Sequence, residues 1–319
     1  MTERPPEALL WDFLRGALMT KALAIVAELG VVEALAAKPR PVDELARERG
    51  ANADALHRVL RALASDGVFA EEEPGVFRQT DASALVGREG WSEFAHLFGG
   101  VFYGAVADLD DAVRGGTSTF AGRFGADFWA WLAEHPRERS QFDRAMAGGR
   151  HRRAEQLAAL EWRDGETVVD VGGGNGALLV ELLRLRPELR GIVFDLPETE
   201  RDEASLGESI EFVAGSFFDG VPSGDAYVLS GILHDWDDEK ATAILRRIRA
   251  TAPAHARLLI TESVVPPGNE PNGAKWLDLL MLVLAGGRER DESQWRTLLE
   301  RGGFRAEQIE DGLVRARCR

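Results

Sequence analysis

His234 stands where the sequence changes from apolar to acidic. In LSGILHDWDDEK, residues 229–240, it follows an apolar run and is followed by four acids. An imidazole has a pKa of about 6.5, so it can accept a proton at neutral pH and is a candidate general base. The competing interpretation is a histidine without catalytic role, ahead of a helix whose acidic first turn suits the helix dipole. The choice depends on the residues that surround His234.

A glycine-rich loop is the second feature that indicates chemistry. GGGNG, residues 172–176, follows the hydrophobic segment VVDV and precedes an apolar helical segment. Glycines let the backbone approach a ligand at a helix N-terminus. Gly172 and Gly174, followed by Ala177, satisfy a dinucleotide fingerprint, so a nicotinamide cofactor is one interpretation. S-adenosylmethionine is another, and a tight turn without ligand is the third.

Asp170 favours S-adenosylmethionine. This acid stands two residues before the first glycine of the loop, where a carboxylate would repel a pyrophosphate. It suits a ligand that carries an ammonium and a sulfonium and no phosphate. Asp195 lies about 20 residues further on, which is the spacing of an acid that binds ribose hydroxyls.

The C-terminal half shows the pattern of an α/β fold. From about residue 165, short β-rich segments alternate with helical ones, which predicts an open, Rossmann-like parallel sheet. Ligands bind at the carboxyl ends of the strands in such sheets. We therefore expect His234 to lie at the ligand-binding edge of the sheet.

The N-terminal half is predicted to be mostly helical. Residues 41–80 read as two short helices and a hairpin around a turn at 73–75, a winged-helix outline. Such a module could bind DNA or serve dimerisation. Residues 38–66 hold six Lys and Arg against five Asp and Glu, and three glutamates follow at 71–73. A domain that binds in a groove of DNA needs a basic face, so dimerisation is the better interpretation.

Composition excludes several classes of protein. The net charge of the 319 residues is −15, which disfavours nucleic acid and anionic membranes as partners. No apolar run is long enough for a membrane span, and the N-terminus lacks a signal-peptide pattern. Cys318 is the single cysteine, which fits a cytoplasmic location. Without paired His or Cys residues we expect no metal site.

The motifs together resemble a known family, the class I S-adenosylmethionine-dependent O-methyltransferases of the plant caffeate and flavonoid type. The resemblance extends to the bacterial relatives that act on aromatic polyketides and other secondary metabolites. The matching segments are DVGGGNG (170–176), FDLP (194–197), GSFF (215–218), LHDWDDE (233–239), TESVVPP (261–267) and LDLLMLVLAGGRERDESQW (277–295), with FDRAM (142–146) further upstream. The first six cover roughly the C-terminal 180 residues in the family's order, and FDRAM together with the winged-helix outline extends the resemblance over nearly the whole chain.

The resemblance assigns cofactor-binding roles. Gly172 and Gly174 would cradle the methionine moiety, Asp195 would bind the ribose, and Phe217 would pack against the adenine. Ser216 stands where the family usually has an acid for the adenine amine. Ser216 is therefore a departure from the family's pattern. Ser230 stands where plant members carry a lysine near the cofactor, a position at which bacterial relatives vary.

The resemblance also assigns the chemistry. His234 would be the general base for the acceptor hydroxyl, and Glu262 or Glu289 would orient its ring and stabilise the imidazolium. Asp235 could contact either the acceptor or the helix that follows. The acceptor-binding candidates are Met146, Trp129, Asp235, Asp278 and Met281.

We therefore predict an S-adenosylmethionine-dependent O-methyltransferase that methylates a hydroxyl of an aromatic small molecule and releases S-adenosylhomocysteine. The expected organisation is a winged-helix-like dimerisation domain (1–95), a helical linker and substrate-pocket segment (96–160) and a Rossmann-like catalytic domain (161–319). The resemblance implies a homodimer. Four alternatives remain: a C-methyltransferase, a relative that has lost methyl transfer, a winged-helix ligand-sensing regulator and a nicotinamide oxidoreductase.

Overall fold

The computed structural model describes residues 5–88, 90–197, 199, 207 and 209–319. The chain divides into two compact units. One comprises Met1–Gly104 and Pro136–Gly148, and the other comprises Ala105–His135 and Gly149–Arg319. Within the described ranges, no helix combines the length and the apolar character that crossing a membrane requires.

Helices and strands are numbered here in chain order. The α-helices of the described residues are Pro6–Glu28 (α1), Val31–Ala34 (α2), Val42–Arg49 (α3), Ala53–Ser65 (α4), Asp81–Val86 (α5), Trp91–Gly99 (α6), Val101–Val106 (α7), Leu109–Gly115 (α8), Phe120–Phe124 (α9), Phe128–Glu134 (α10), Pro136–Ala147 (α11), Arg150–Ala158 (α12), Ala177–Leu185 (α13), Asp238–Thr251 (α14), Ala274–Ala285 (α15) and Glu292–Arg301 (α16). The strands are Arg40–Pro41 (β1), Phe69–Glu73 (β2), Val76–Gln79 (β3), Thr167–Val171 (β4), Arg190–Asp195 (β5), Ile210–Ala214 (β6), Ala226–Ser230 (β7), Arg257–Thr261 (β8), Phe304–Glu310 (β9) and Leu313–Cys318 (β10). A short 3-10 turn spans Leu233–Asp235.

The N-terminal unit contains the two helices and the hairpin that the sequence predicts. Helix α4 begins after Asn52, whose side chain accepts a hydrogen bond from the Ala55 amide at 3.0 Å. Leu56, Leu60 and Leu63 lie on one face of α4 and are buried in the core of the unit. Strands β2 and β3 then form an antiparallel hairpin, and β1 pairs with the other edge of β3.

The second unit is built on a seven-stranded sheet in the order β6-β5-β4-β7-β8-β10-β9. The five strands from β6 to β8 are parallel, as predicted. Strands β9 and β10 differ, because they form an antiparallel hairpin that adds β10 beside β8. A two-residue loop can join antiparallel strands but not parallel ones, and here Asp311 and Gly312 form that loop.

The parallel strands determine where the candidate site residues lie. Strand β4 runs into the glycine loop, β5 ends at Asp195, and β7 ends at Ser230 just before the 3-10 turn of His234. Strand β8 ends one residue before Glu262. Because neighbouring parallel strands end at the same edge, residues far apart in the sequence are brought together there.

Candidate active site

The imidazole of His234 is held by Glu289. Its Nδ1 atom lies 2.6 Å from Oε1 of Glu289, whose side chain is 1% exposed. The other ring nitrogen, Nε2, lies 3.6 Å from Oδ1 of Asp235, which is longer than a hydrogen bond. With Nδ1 bound to a carboxylate, Nε2 is the ring nitrogen that remains to accept a proton.

Glu262 contacts the backbone of the same turn and not the imidazole. Its Oε1 accepts hydrogen bonds from the amides of Ile232 at 3.0 Å and Leu233 at 2.7 Å. Its Oε2 is buried and has no hydrogen-bond partner among the residues that the structure describes. Of the two glutamates, Glu289 is therefore the one that binds the ring of His234.

The segment that carries Glu289 lies directly against the His234 turn. The Arg288 amide donates to the carbonyl oxygen of His234 at 2.8 Å. This approach requires glycine at 287, because an added Cβ there would lie 2.0 Å from the same oxygen. On the other side, the carboxylate of Asp278 in α15 accepts from the Glu289 amide at 2.8 Å, and the carbonyl of Met281 accepts from the Gly287 amide at 3.2 Å.

Three carboxylates make His234 strongly basic. Burial opposes the imidazolium, but Asp235, Glu289 and Glu262 outweigh it and raise the pKa of His234 from 6.5 to about 10. Burial also raises the pKa of Asp235 to about 7, although the His234 cation opposes this change. The pKa of Glu262 is raised for the same first reason, burial.

The glycine loop is hydrogen-bonded to Asp195 at the end of β5. Oδ2 of Asp195 accepts from the Gly174 amide at 2.7 Å, and Oδ1 accepts from the Thr199 hydroxyl at 2.6 Å. Gly172 has a φ of 73°, and an added Cβ there would lie 2.5 Å from Cδ1 of Ile232. A Cβ added at Gly174 would meet no atom within 4 Å, so the loop is open on that side.

Asp170 supplies an observation that tests the fit of a cationic ligand. The residue is 2% exposed, and neither of its carboxylate oxygens has a hydrogen-bond partner in the described part of the chain. Burial, and then the nearby Asp195, raise the pKa of Asp170 to about 7, while Arg153 lowers it. A buried carboxylate without partners is costly. The ammonium of S-adenosylmethionine is the kind of group that would satisfy it, so the residues present fit this cofactor.

Arg153 is a residue that the sequence interpretation missed. It lies on α12, and its Nη1 is 3.4 Å from the hydroxyl of Ser230. Ser230 occupies the position where the resemblance implies a lysine. The positive charge near this strand end therefore comes from a helix that precedes the glycine loop in the chain.

Ser216 and Phe217 follow strand β6. The Ser216 hydroxyl accepts from the Phe218 amide at 3.3 Å, so it contributes to the local turn. The ring of Phe217 packs edge-on against Phe218 and Trp236, with centroids 5.0 and 6.0 Å away. Its Cε1 atom would lie 3.7 Å from a Cβ added at Gly172, so this ring reaches the glycine loop.

The acceptor-binding candidates fall in both units. Trp129 lies on α10 with its ring edge-on to Phe128, and Asp278 and Met281 lie on α15 in the same unit. Met146 lies on α11 in the N-terminal unit and is 37% exposed. In the described residues, His, Cys, Asp and Glu form no group of three or more that could hold a metal ion.

Fold and site together define an α/β methyltransferase of class I. Comparison with known proteins agrees with this class. The O-methyltransferase domain family matches residues 106–305, and the O-methyltransferase dimerisation domain family matches residues 11–87. The chain belongs to this O-methyltransferase family, whose members depend on S-adenosylmethionine. The predicted family, fold class and cofactor are confirmed.

Individual relatives cover nearly the whole chain. A phenazine O-methyltransferase of Lysobacter antibioticus is 41% identical over 317 residues, covering 96% of this chain and 93% of its own length. The crystal structure of LaPhzM matches with a TM-score of 0.91 and 39% identity, covering 99% of this chain and all of its own. The crystal structure of NcsB1, an O-methyltransferase from neocarzinostatin biosynthesis in complex with S-adenosylhomocysteine and 1,4-dihydroxy-2-naphthoic acid, matches with a TM-score of 0.80 and 30% identity, covering 94% of this chain and 96% of its own.

Proposed function

We propose that this O-methyltransferase acts on a hydroxyl group of an aromatic small molecule, with His234 as the general base. One observation carries the proposal: Nδ1 of His234 is bound to the buried Glu289 at 2.6 Å, beside the strand ends that carry the glycine loop. A base needs a second group to fix its ring and stabilise its charged form. Glu289 meets both needs and leaves Nε2 for the acceptor.

An aromatic acceptor is supported by the relatives and by the strength of the base. One relative is a phenazine O-methyltransferase and the NcsB1 structure contains a naphthoic acid, and both compounds are fused aromatic ring systems. A phenol has a pKa of about 10, and the pKa of His234 is raised to about 10. The carboxylates around His234 therefore raise its basicity toward that of a phenolate, which makes Nε2 a stronger proton acceptor than an ordinary imidazole.

Residues at the ends of β4, β5, β6 and β7, together with Arg153 on α12, would hold the cofactor. When bound, S-adenosylmethionine supplies a methyl group on a positively charged sulfur. Asp170 would pair with its ammonium, Arg153 with its carboxylate, and Asp195 with its ribose hydroxyls. Gly172 and Gly174 would give the backbone close access. Phe217 would contact the adenine, with Ser216 and Ser230 at the flanks.

The acceptor would meet the enzyme beside Nε2 of His234. Asp235 lies 3.6 Å from this nitrogen, so we propose that its carboxylate contacts the acceptor or the imidazolium formed during the reaction. Trp129, Met146 and Met281 stay predictions as apolar acceptor contacts. Asp278, which holds the Glu289 amide, stays a prediction as an acceptor contact as well.

We also propose that the protein is a homodimer. The dimerisation domain family matches residues 11–87, and helix α1 begins just before this segment. Several large apolar side chains of α1 are exposed, far more than one helix of a monomer usually shows. They are Leu9, Leu10, Trp11, Phe13, Leu14 and Leu18, between 48% and 74% exposed.

The cytoplasmic location expected from the sequence also stays a prediction.

The test uses isotope-labelled S-adenosylmethionine, a hydroxyphenazine and 1,4-dihydroxy-2-naphthoic acid, with the product analysed by mass spectrometry. We expect transfer of the label to an oxygen of at least one acceptor. His234→Ala should lower turnover by about 10²-fold or more and leave the affinity for S-adenosylhomocysteine, measured by calorimetry, unchanged. His255→Ala is the control, because His255 forms an exposed pair with Asp225. Full turnover in His234→Ala would contradict the base assignment.

A further inference from the structure

Arg290 is a completely buried arginine next to Glu289. Its side chain is 0% exposed, which is rare for an ion unless it is paired and hydrogen-bonded. Nη1 donates to the carbonyl of Leu233 at 2.9 Å and Nη2 to the carbonyl of Trp236 at 2.9 Å. Nε donates to Oδ1 of Asp238 at 3.0 Å. The guanidinium is thus surrounded by acceptors from one short stretch of chain.

These acceptors enclose His234 in the sequence. Leu233 precedes it directly, and Trp236 and Asp238 follow within four positions. Glu289, which binds the imidazole, precedes Arg290 directly. One side chain therefore fixes the segment of the histidine relative to the segment of the glutamate, although the two are 55 residues apart.

We propose that Arg290 is the positioning residue of the general base: it clamps the His234 turn against the Glu289 segment and so keeps the imidazole in its reactive orientation. This inference rests on the proposed role of His234. Arg290 itself does not touch the imidazole or the acceptor side of the ring in the described contacts. Its effect passes through the backbone carbonyls on either side of His234.

Arginine suits this position for a geometric reason. A guanidinium is a planar fork with five N–H donors, whereas an ammonium is a single point of charge. Arg290 uses the fork to reach two carbonyls and a carboxylate at once. Its charge also matters, because Asp235, Glu262 and Glu289 all face His234 and place several acids in one buried cluster. Burial raises the pKa of Glu262, and the positive charge of Arg290 is one of the influences that oppose this increase.

Arg288 provides a matched control. Its Nη1 binds Oδ2 of Asp238 at 3.0 Å, the same carboxylate that Arg290 uses. Its side chain is 47% exposed and makes no described contact with the carbonyls of Leu233 and Trp236. Loss of the Arg288 side chain therefore removes an ion pair with Asp238 without opening the turn.

The experiment compares Arg290→Gln, Arg290→Lys and Arg288→Gln in the full chain. We measure kcat and KM over a range of pH, and the affinity for S-adenosylhomocysteine by calorimetry. Arg290→Gln should lower kcat by about 10-fold or more, with cofactor affinity within about 2-fold of the wild type. The acid limb of the pH profile of kcat should move to lower pH in Arg290→Gln, because a Glu289 that is no longer held in place raises the pKa of His234 less. Arg290→Lys should recover part of kcat, and Arg288→Gln should match the wild type.

Wild-type kcat and an unshifted acid limb in folded Arg290→Gln would overturn the inference, as would an equal loss in Arg288→Gln. If Arg290→Gln does not fold, Arg290→Lys carries the test, because an ammonium keeps the charge but cannot bind both carbonyls and Asp238 at once. A smaller loss of kcat with the same shift would support the inference, and wild-type behaviour would overturn it. The role of His234 as the base is tested independently: full turnover in His234→Ala would contradict that role, whatever the Arg290 variants show.

Discussion

Glu289 binds the imidazole of His234 through a 2.6 Å contact between Oε1 and Nδ1, across 55 residues of sequence. Glu262, at the end of β8, instead binds two backbone amides of the turn. The two glutamates therefore have different roles: Glu289 orients the ring, and Glu262 holds the backbone that carries it. The pair of His234 and Glu289 is the part of the site on which turnover should depend most directly.

The first prediction concerns the pH dependence of turnover. Because the pKa of His234 is raised to about 10, the neutral imidazole is scarce at neutral pH and kcat/KM should rise with pH in the alkaline range. Glu289→Gln removes one of the groups that raise this pKa, so the acid limb should move to lower pH while the maximal rate falls. Initial rates between about pH 6 and about pH 11 measure both effects. An identical acid limb in Glu289→Gln would show that another group titrates.

The second prediction is that replacing Asp170 makes the protein more stable but weakens its binding of the cofactor. Asp170→Asn removes a buried carboxylate without partners, so the melting temperature of the ligand-free protein should rise by about 2 °C or more. Burial raises the pKa of Asp170 from 3.8 to about 7. The wild-type fold is therefore destabilised as pH rises from about 4 to about 7, and the advantage of the variant should grow over this window.

The same variant should bind S-adenosylhomocysteine at least about 10-fold more weakly, because the ammonium loses its charged partner. Thermal melts at several pH values and calorimetry give the two readouts. A variant that binds as tightly as the wild type would remove Asp170 from the cofactor site.

Arg153 gives the third prediction. Arg153→Gln should weaken S-adenosylhomocysteine binding by about 10-fold, because the methionine carboxylate loses its cation. Binding of 5′-methylthioadenosine, which lacks the amino-acid part, should stay within about 2-fold of the wild type. Arg152→Gln is the control, since Arg152 is the exposed neighbour on α12. Equal losses for both ligands would place Arg153 away from the carboxylate.

The sequence predicted the parts of the site that follow from strand ends. Asp170, Gly172, Asp195 and His234 each lie at or just after the end of a parallel strand, so their common edge could be predicted from the alternation of strands and helices together with the family motifs. The hairpin of β9 and β10 was missed, although its Asp-Gly turn is a local hairpin signal. Segments 304–310 and 313–318 carry many charged residues, because they are half-buried near the edge of the sheet.

Arg153 and Arg290 could not be predicted, for a different reason. Arg153 meets Ser230 across 77 residues, and Arg290 meets Leu233 across 57. No local pattern marks an arginine that acts through such distant contacts. The same limit left the roles of Glu262 and Glu289 open, because both stand in family motifs and only the folded chain shows which one reaches the imidazole.

The last prediction tests the homodimer through helix α1. Leu14 and Leu18 are each 74% exposed and lie four residues apart, on one face of the helix. Burial of a leucine side chain stabilises an interface by about 2 kcal/mol, and a symmetric dimer contains each leucine twice. Leu14→Glu with Leu18→Glu should therefore weaken association by at least about 100-fold, which sedimentation equilibrium measures. Val113→Glu, at an exposed valine of α8, should leave the mass unchanged. A double variant that stays dimeric would mean that another surface joins the two chains.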